Sequence, residues 1–226
     1  MSSSPLPRDG APLLILGSKN YSSWSLRPWL FLRKVGFDFR EYVIHFDAAD
    51  YQAQIARYSP SRRVPLLIEG ETKIWDSLAI CEYAAERTAR GLPKDRPARA
   101  MARSAAAEMH SGFEALRGEY PMNIRARGRR VAPSLQVLAD IARIDEIWSS
   151  CRRTYGAGGD WLFGDFSLAD AMFAPVLFRF QTYGAALSPV SERYLQHALA
   201  DAAVREWQDA ASLEAHPLPD VDRIGA

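Results

Sequence analysis

The sequence predicts an α/β domain followed by an all-helical domain, and three features of the chain carry this prediction. The first 91 residues alternate short strand-like runs with longer amphipathic runs. Beyond "LPKDRP", at 92–97, the apolar residues recur at helical spacings of three and four. That segment has two prolines and three charges in six residues, as interdomain linkers do. We therefore expect domains at 12–91 and 98–226, after a disordered leader at 1–11.

Composition narrows the classes of function that the chain can have. Its 226 residues, 48% of them hydrophobic, are enough to bury a core. A formal charge of +1, from 28 basic and 27 acidic residues, lacks the basic excess of proteins that bind nucleic acid or anionic membranes. Two cysteines in helical patterns and no signal-like N-terminus favour a cytoplasmic protein. The four histidines show no ligand spacing with cysteine or carboxylate residues, so we expect no metal site.

The elements of the first domain follow from hydrophobic spacing and from glycine and proline positions. The expected order is a strand at 13–16, a helix at 25–35, a strand at 39–46, a helix at about 49–58, and strands at 64–68 and 72–75. Gly17 and Gly36 end the first strand and the first helix, and a tight Glu-Gly turn joins the last two strands. A further helix begins at Asp76 and Ser77 and ends before Gly91.

The second domain contains two strong helical patterns. Apolar residues spaced three and four apart run from Val137 to Cys151. In "FSLADAMFAP", Ser167 and Asp170 form a capping pair ahead of an apolar run, which predicts a buried helix. Pro175 lies inside that run and is expected to kink the helix.

Two adjacent serines, Ser22 and Ser23, precede the first helix in "NYSSWSLRPWLFLRKVG". A serine at this position can cap the helix by accepting a hydrogen bond from a free backbone N–H. Alternatively, the positive end of the helix dipole can stabilise an anion, and a neighbouring hydroxyl can hold a thiolate or a phosphate. The local residues alone leave both interpretations open.

Four segments stand in order along the chain: "SSWSLRPWL", "RRVPLL", "WDSLAI" and "FSLADAMFAP". With the predicted strand–helix–strand start and the helical second half, they resemble the cytosolic glutathione transferase family over nearly the whole chain. The first segment is similar to the serine motif of the zeta class and its bacterial relatives. The resemblance implies a thioredoxin-like N-terminal domain, glutathione as cosubstrate, a small electrophile bound between the domains, and a homodimer in the cytoplasm.

The resemblance also implies which residues bind glutathione. A cis bond between Val64 and Pro65 would expose the N–H and C=O of Val64 to the peptide backbone, like an added strand. Asp76 and Ser77 would hold the γ-glutamyl amine and carboxylate at a helix N-terminus. Arg63, with the arginine before it, would approach the glycyl carboxylate. The plainer alternatives are an edge-strand proline, an N-cap and solvated loop arginines.

We expect Ser23 to activate the glutathione thiol by donating a hydrogen bond to the thiolate. The motif does not separate Ser23 cleanly from Ser22, and Tyr21 is a third candidate for which packing is the more ordinary role. Trp24 stands where the zeta-like motif has cysteine. No protein thiol in this loop can therefore form a mixed disulfide, and direct transfer of the zeta-class isomerase activity is weakened.

The acceptor site is expected near "EYPMNIRARGRR", because in the family the end of this helix lies near the acceptor. Tyr120 and Met122 would form an apolar wall, and Arg125 or Arg127 would bind an acidic acceptor by a bidentate contact. The remaining arginines of the run are expected to be solvated.

The expected function is activation of glutathione for addition to a small electrophile, as in detoxification. Two alternatives remain open. One is glutathione-dependent cis-trans isomerisation of an acidic diketone resembling maleylacetoacetate. The other is a non-catalytic binding or stress-response protein, since a fold does not fix a function. The sequence does not distinguish conjugation, isomerisation and peroxidase activity.

Overall fold

The structure is a computed structural model that describes residues 10–226, so the leader expected at 1–11 lies almost entirely outside the described residues. The first half contains β1 (Leu13–Gly17), α1 (Ser23–Val35), β2 (Arg40–Ile44), α2 (Tyr51–Tyr58), β3 (Leu66–Glu69), β4 (Thr72–Trp75) and α3 (Ser77–Thr88). The second half contains α4 (Arg96–Ser111), α5 (Glu114–Glu119), α6 (Leu135–Tyr155), α7 (Leu168–Tyr183), α8 (Pro189–Ala200), α9 (Ala202–Leu213) and α10 (Pro219–Asp222). The predicted combination of an α/β and an all-helical domain is confirmed.

The strands form one sheet in the order β2-β1-β3-β4 within the described chain. β1 runs parallel to β2, with Ile15 opposite Tyr42, and antiparallel to β3, where Ile15 faces Leu66. Side chains of β1 alternate between the two faces: Leu14 packs with α1 and α3, whereas Ile15 packs with α2. Helices therefore cover both faces of the sheet, as in the thioredoxin-like domain that the sequence led us to expect.

The element limits differ from the sequence prediction mainly at the first helix. α1 begins at Ser23, two residues earlier than expected, because Ser22 rather than a later serine supplies the cap. Its end at Gly36 is as predicted, with Gly36 at φ 73° in the left-handed region. The helix thus starts immediately at the two serines.

The second domain is built around α7, which is buried along nearly its whole length and packs against α1 and α4. The predicted capping pair is present: Asp170 accepts hydrogen bonds from the backbone N–H and the hydroxyl of Ser167, both at 2.8 Å. The Asp170 carboxylate also accepts from the N–H of Leu162 at 3.0 Å. α7 continues through Pro175 to Tyr183.

The stretch between α3 and α4, residues 89–95, begins and ends earlier in the chain than the expected linker at 92–97. α3 ends at Thr88 and α4 begins at Arg96, so the last two residues of the segment 92–97 are helical. Asp95 caps α4 by accepting from the N–H of Ala98 at 2.9 Å. We retain 12–91 and 98–226 as the proposed domain division. Within residues 10–226, no helix combines the length and apolar character needed to cross a membrane.

We expect Asp170→Ala to lower the free energy of unfolding by about 2–4 kcal/mol, because it removes a helix cap and leaves buried N–H groups without acceptors. Asp165→Ala is the matched control, since Asp165 is exposed in the same segment. Chemical denaturation of both variants measures the difference. Equal stability of the two variants would show that the capping pair does not stabilise α7.

Candidate functional site

A cleft of about 470 Å³ opens where the N-terminal ends of α1 and α3 approach the start of β3. Its lining residues are Trp24, Ser61, Arg63, Val64, Pro65, Trp75, Asp76 and Ser77. All five residues expected to bind glutathione are among them, and the Val64–Pro65 bond is cis. Ser61, Trp24 and Trp75 were not expected as lining residues. The cleft joins segments that the sequence separates by about fifty positions.

The N-terminus of α3 forms one wall of this cleft. Asp76 is the N-cap, and its Oδ1 accepts from the N–H of Leu78 at 2.8 Å. Its backbone adopts φ 74° and ψ 136°, a conformation that residues with a Cβ rarely adopt and that tends to occur at functional sites. The other carboxylate oxygen lies 3.3 Å from Nε2 of His110 on α4. Asp76 therefore both caps the helix and presents a carboxylate at the cleft.

Ser77 provides a polar group with no protein partner. Its side chain is 1% exposed, and its hydroxyl makes no hydrogen bond to any described residue. A buried hydroxyl without a partner is costly unless a ligand satisfies it. It lies in the first turn of α3, where backbone N–H groups are unpaired and the helix dipole is positive. This wall is suited to a carboxylate.

The two serines at the start of α1 differ in how their hydroxyls are used. Ser22 Oγ accepts from the N–H of Ser25 at 3.3 Å and donates to Ser25 Oγ at 2.7 Å. The Ser25 hydroxyl in turn accepts from the N–H of Gly17 at 2.9 Å. Ser23 is 8% exposed, and its hydroxyl makes no hydrogen bond to any described residue. Capping thus accounts for Ser22. Neither serine is among the lining residues of the cleft, but Ser23 immediately precedes the lining residue Trp24 and its hydroxyl has no acceptor among the described residues.

Tyr21, the third candidate for the thiolate donor, has its hydroxyl engaged elsewhere. This hydroxyl accepts from the N–H of Leu218 at 2.9 Å and from the guanidinium of Arg125 at 2.7 Å. It also lies within 3.0 Å of both carboxylate oxygens of Asp222, to which it donates. Tyr21 therefore joins the first helix to the C-terminal end of the chain.

The structure does not bring the expected acceptor-binding residues to the cleft. Tyr120 and Met122 are 4% and 2% exposed and belong to the core. The Tyr120 ring stacks on Tyr183 at 4.4 Å, and its hydroxyl donates to the carbonyl of Val131 at 3.2 Å. Their apolar side chains fill the helical domain and do not form a pocket wall.

The two arginines of the same segment are occupied by protein groups. Arg125 donates to the carbonyl of Glu214 and to the Tyr21 hydroxyl, and Arg127 donates to the carbonyls of Ile124 and Ala126. Neither arginine lines the cleft, although Arg127 is exposed and only its Nη1 is bonded. In this segment the apolar residues pack into the core, and Arg125 bonds the segment to Tyr21 and Glu214.

A different arginine, Arg27, lies beneath the cleft wall and was missed by the sequence analysis. It is 1% exposed, with its guanidinium carbon 4.4 Å from the centre of the Trp24 ring. Its Nε donates to the carbonyl of Met172 at 3.1 Å, while Nη1 is buried and unpartnered among the described residues. Burial, and then the neighbouring Arg179 and Arg117, lower the pKa of Arg27 to about 9. The only sequence signal was an arginine inside an apolar helix.

The charge around Trp24 is positive on balance. Arg117 on α5 also faces this ring, with its guanidinium carbon 5.5 Å from the ring centre. No carboxylate of the described residues bonds to Arg27 or Arg117, and Cys81 and then Asp76 are the neighbours that raise the pKa of Arg27 against the larger lowering by burial. Since Arg27 follows Ser23 by one helical turn on the same side of α1, its charge acts near the free hydroxyl. The inner end of the cleft favours an anion.

The two cysteines are not placed to act as nucleophiles, and the described residues contain no cluster of metal ligands. Cys81 is fully buried, and burial raises the pKa of its thiol well above its usual value. Burial likewise raises the pKa of Cys151 to about 11. Both thiols are therefore protonated and unreactive at neutral pH. Among residues 10–226, no three His, Cys, Asp or Glu side chains cluster as metal ligands would.

Comparison with known families agrees with this architecture. The model of the glutathione S-transferase N-terminal domain matches residues 21–87, and that of the C-terminal domain matches residues 96–212. The fold and the cleft are those of a two-domain, thioredoxin-like protein with a helical second domain. The chain belongs to the glutathione S-transferase family. The search of curated proteins found no match.

Solved structures give the same result. A glutathione transferase homolog from Burkholderia, solved with bound glutathione, is 26% identical with a TM-score of 0.66; the match covers 89% of this chain and 98% of that chain. A bacterial maleyl pyruvate isomerase of the zeta class is 18% identical, with a TM-score of 0.69 and coverage of 91% and 100%. Ure2p in complex with glutathione is 17% identical, with a TM-score of 0.65 and coverage of 87% and 98%. The last two show similarity of fold alone.

The different roles of the two serines predict different stabilities. Ser22→Ala should lower the free energy of unfolding by about 1 kcal/mol, because it removes the N-cap of α1. Ser23→Ala should change it by less than about 0.5 kcal/mol, since its hydroxyl bonds to no described residue. Denaturant titrations of the two variants against the parent protein test this, and a larger loss in Ser23→Ala would reverse the assignment.

Proposed function

We propose that this protein is a glutathione transferase that binds glutathione in the cleft and activates its thiol for addition to a small electrophile. The observation that carries the proposal is the partnerless, buried hydroxyl of Ser77 at the N-terminus of α3, beside the Asp76 carboxylate. Together these groups match the two ends of a γ-glutamyl group: the hydroxyl and the helix N-terminus suit its carboxylate, and Asp76 suits its amine.

The rest of the tripeptide has complementary groups in order. The backbone of Val64, at the edge of the cleft, can pair with the backbone of the cysteinyl residue in the manner of an added strand. A second cleft shares Trp24, Arg63 and Val64 with the first and also includes Arg62. An extended peptide can therefore continue past Val64 to place its glycyl carboxylate near Arg62 and Arg63.

The thiol is activated by two features of α1. A free thiol has a pKa of about 8.5, so a transferase must stabilise its thiolate near neutral pH. Ser23 donates a charge-assisted hydrogen bond to the sulfur at the positive end of the helix. The buried charge of Arg27, one turn further along, adds an attractive field in a region of low dielectric constant. Neither group forms a covalent bond with glutathione.

Support also comes from the Burkholderia homolog, which contains bound glutathione. We further propose, as the family resemblance implies, that the protein acts as a homodimer in the cytoplasm and serves in detoxification. The acceptor would bind between the domains beside Trp24, whose indole is 36% exposed.

Two alternatives share the glutathione site. Isomerisation of an acidic diketone is favoured by the positive charge of Arg27 and Arg117, and by the similarity in fold to the maleyl pyruvate isomerase. A non-catalytic binding protein is favoured by the similarity to Ure2p, which was solved with glutathione. The available Ser23 hydroxyl supports catalysis over mere binding.

Assays with glutathione against aryl halides, epoxides, hydroperoxides and maleylacetoacetate-like acids test these proposals. Conjugation of a neutral or anionic electrophile supports the transferase, and turnover of the acids alone supports the isomerase. Binding without turnover in the panel supports the binding protein. Absence of glutathione binding by calorimetry would overturn all three.

The glutathione site predicts a selective loss of affinity in Ser77→Ala. Removing the hydroxyl should weaken glutathione binding by about 10- to 100-fold, since a hydrogen bond to a charged group contributes on the order of 1.5–3 kcal/mol. Ser149→Ala is the control: its hydroxyl is also part of a buried residue but donates to the carbonyl of Glu146 on α6. If calorimetry gave parental affinity for Ser77→Ala, the γ-glutamyl carboxylate would lie elsewhere.

The Ser22→Ala and Ser23→Ala variants should also differ in kcat, in addition to their expected difference in stability. Ser23→Ala is expected to lower kcat at neutral pH about tenfold or more with little change in glutathione affinity, because the lost bond acts on the thiolate while the peptide contacts remain. Ser22→Ala should have a smaller effect. Steady-state kinetics with the best acceptor measure both variants, and a larger loss in Ser22→Ala would transfer the thiolate contact to Ser22.

A further inference from the structure

The turn between β1 and α1, residues 18–22, leads directly into Ser23, the residue that contacts the thiolate in the proposed function. Its residues are buried, with exposures between 0% and 9%, so its backbone polar groups need protein partners. Within the turn, the carbonyl of Ser18 accepts from the N–H groups of Tyr21 and Ser22 at 3.2 and 2.8 Å. The carbonyls of Tyr21 and Ser22 accept from N–H groups of the first turn of α1. The N–H groups of Lys19 and Asn20, and the Tyr21 hydroxyl, instead bond to residues 214–226, here called the C-terminal segment.

Glu214 supplies the first of these contacts. Its Oε1 accepts from the N–H of Lys19 at 2.7 Å, and its Oε2 accepts from the N–H of Asn20 at 3.0 Å. One carboxylate thus satisfies two successive buried donors of the turn. Trp207, on the preceding helix α9, donates from its indole to the carbonyl of Lys19 at 3.1 Å.

Asp222 supplies the second contact. Its carboxylate accepts from the hydroxyl of Tyr21, with both oxygens within 3.0 Å, and from Nδ2 of Asn123 at 2.8 Å. The Tyr21 hydroxyl also accepts from the N–H of Leu218, in the same segment, at 2.9 Å. The residue immediately before Ser22 is therefore bonded to the C-terminal segment at two points.

The residues 123–125 complete this attachment from the other side. Asn20 donates from Nδ2 to Oδ1 of Asn123 at 2.9 Å, and its own Oδ1 accepts from the N–H of Arg125 at 2.9 Å. The carbonyl of Asn20 accepts from the N–H of Ile124 at 3.2 Å. Arg125 also donates to the carbonyl of Glu214, so the two sets of contacts are joined.

The C-terminal segment has no buried apolar residue, and outside the turn it is attached by His216, which stacks on His45 and bonds to Asp47, and by the carbonyl of Gly225, which accepts from the N–H of Arg130. None of the residues 214–226 is buried, including those of α10. Where the segment meets the turn, it does so through polar contacts, and hydrogen bonds to charged groups are the strongest of these. Removing one carboxylate should loosen the segment and the turn together, while the core remains packed.

We propose that the C-terminal segment is a positioning element for the thiolate site: Glu214 and Asp222 fix the β1–α1 turn so that the Ser23 hydroxyl is held at the glutathione sulfur. The role in catalysis rests on the proposed function, whereas the coupling between segment and turn does not. Neither acid lines the cleft, so both act through the turn.

Asp222→Ala tests the coupling, with Asp220→Ala as a matched control in the same short helix. The Asp220 side chain is fully exposed, and its nearest ionic partner is Arg223 at 3.9 Å. Hydrogen exchange of the backbone amides of residues 19–22 is measured without ligand. We expect Asp222→Ala to raise this exchange by about tenfold, the equivalent of one charged hydrogen bond, and Asp220→Ala to leave it unchanged.

Kinetics of the same variants test the catalytic role. Asp222→Ala should lower kcat by about the same factor, raise the thiol pKa of bound glutathione, and leave glutathione affinity within about twofold. Glu214→Gln, which turns an amide NH₂ toward one of two backbone N–H donors, should show the same pattern. The unfolding midpoint is recorded for every variant, so that a general loss of stability is recognised from a parallel rise in core exchange.

The outcomes separate the two proposals. Unchanged exchange in Asp222→Ala and Glu214→Gln would overturn the coupling, and faster exchange without any loss of kcat would overturn the positioning role. Loss of glutathione affinity with an unaltered thiol pKa would also contradict it. If the parent protein bound no glutathione, the proposed function would fail, and the exchange measurement would still decide whether the segment holds the turn.

Discussion

The burial of the β1–α1 turn is the constraint on which the rest of the site depends. A hydroxyl at the start of α1 can act on a bound thiolate only if the preceding backbone is fixed, and a buried backbone must be fully hydrogen-bonded. Glu214 meets part of this requirement by accepting from two backbone N–H groups of the turn, while Asp222 accepts from the Tyr21 hydroxyl in the same turn. The thioredoxin-like domain therefore provides the cleft, while residues of the helical domain and its C-terminal segment bond to the turn that precedes α1.

The cleft combines this rigidity with positive charge. The N-termini of α1 and α3 both lie at the cleft, and the acidic residue at these termini is Asp76, the N-cap of α3. Arg27 adds a buried cation that no carboxylate of the described residues neutralises by direct contact. A buried charge without a partner is costly to the folded protein. A bound thiolate or carboxylate would offset part of that cost. The unpaired buried charge of Arg27 therefore favours recognition of an anion in the cleft.

The sequence predicted features that depend on neighbouring residues. The strands, the start of α3 at Asp76 and the capping pair before α7 all follow from local periodicity and caps. What it missed depends on contacts between distant segments. Arg125 looked free because its partners, Tyr21 and Glu214, are about 90 to 100 positions away. The distinct roles of Ser22 and its neighbour likewise required the three-dimensional course of the turn, which no spacing rule encodes.

The central claim is that this turn and the ends of two helices stabilise a thiolate. The most direct measurement is the pKa of the thiol of glutathione bound to the unmodified protein, from a pH titration of thiolate absorbance at saturating protein. The account predicts a value at least about one unit below the 8.5 of a free thiol. A bound thiol that titrated at about 8.5 would contradict it, even if glutathione occupied the cleft.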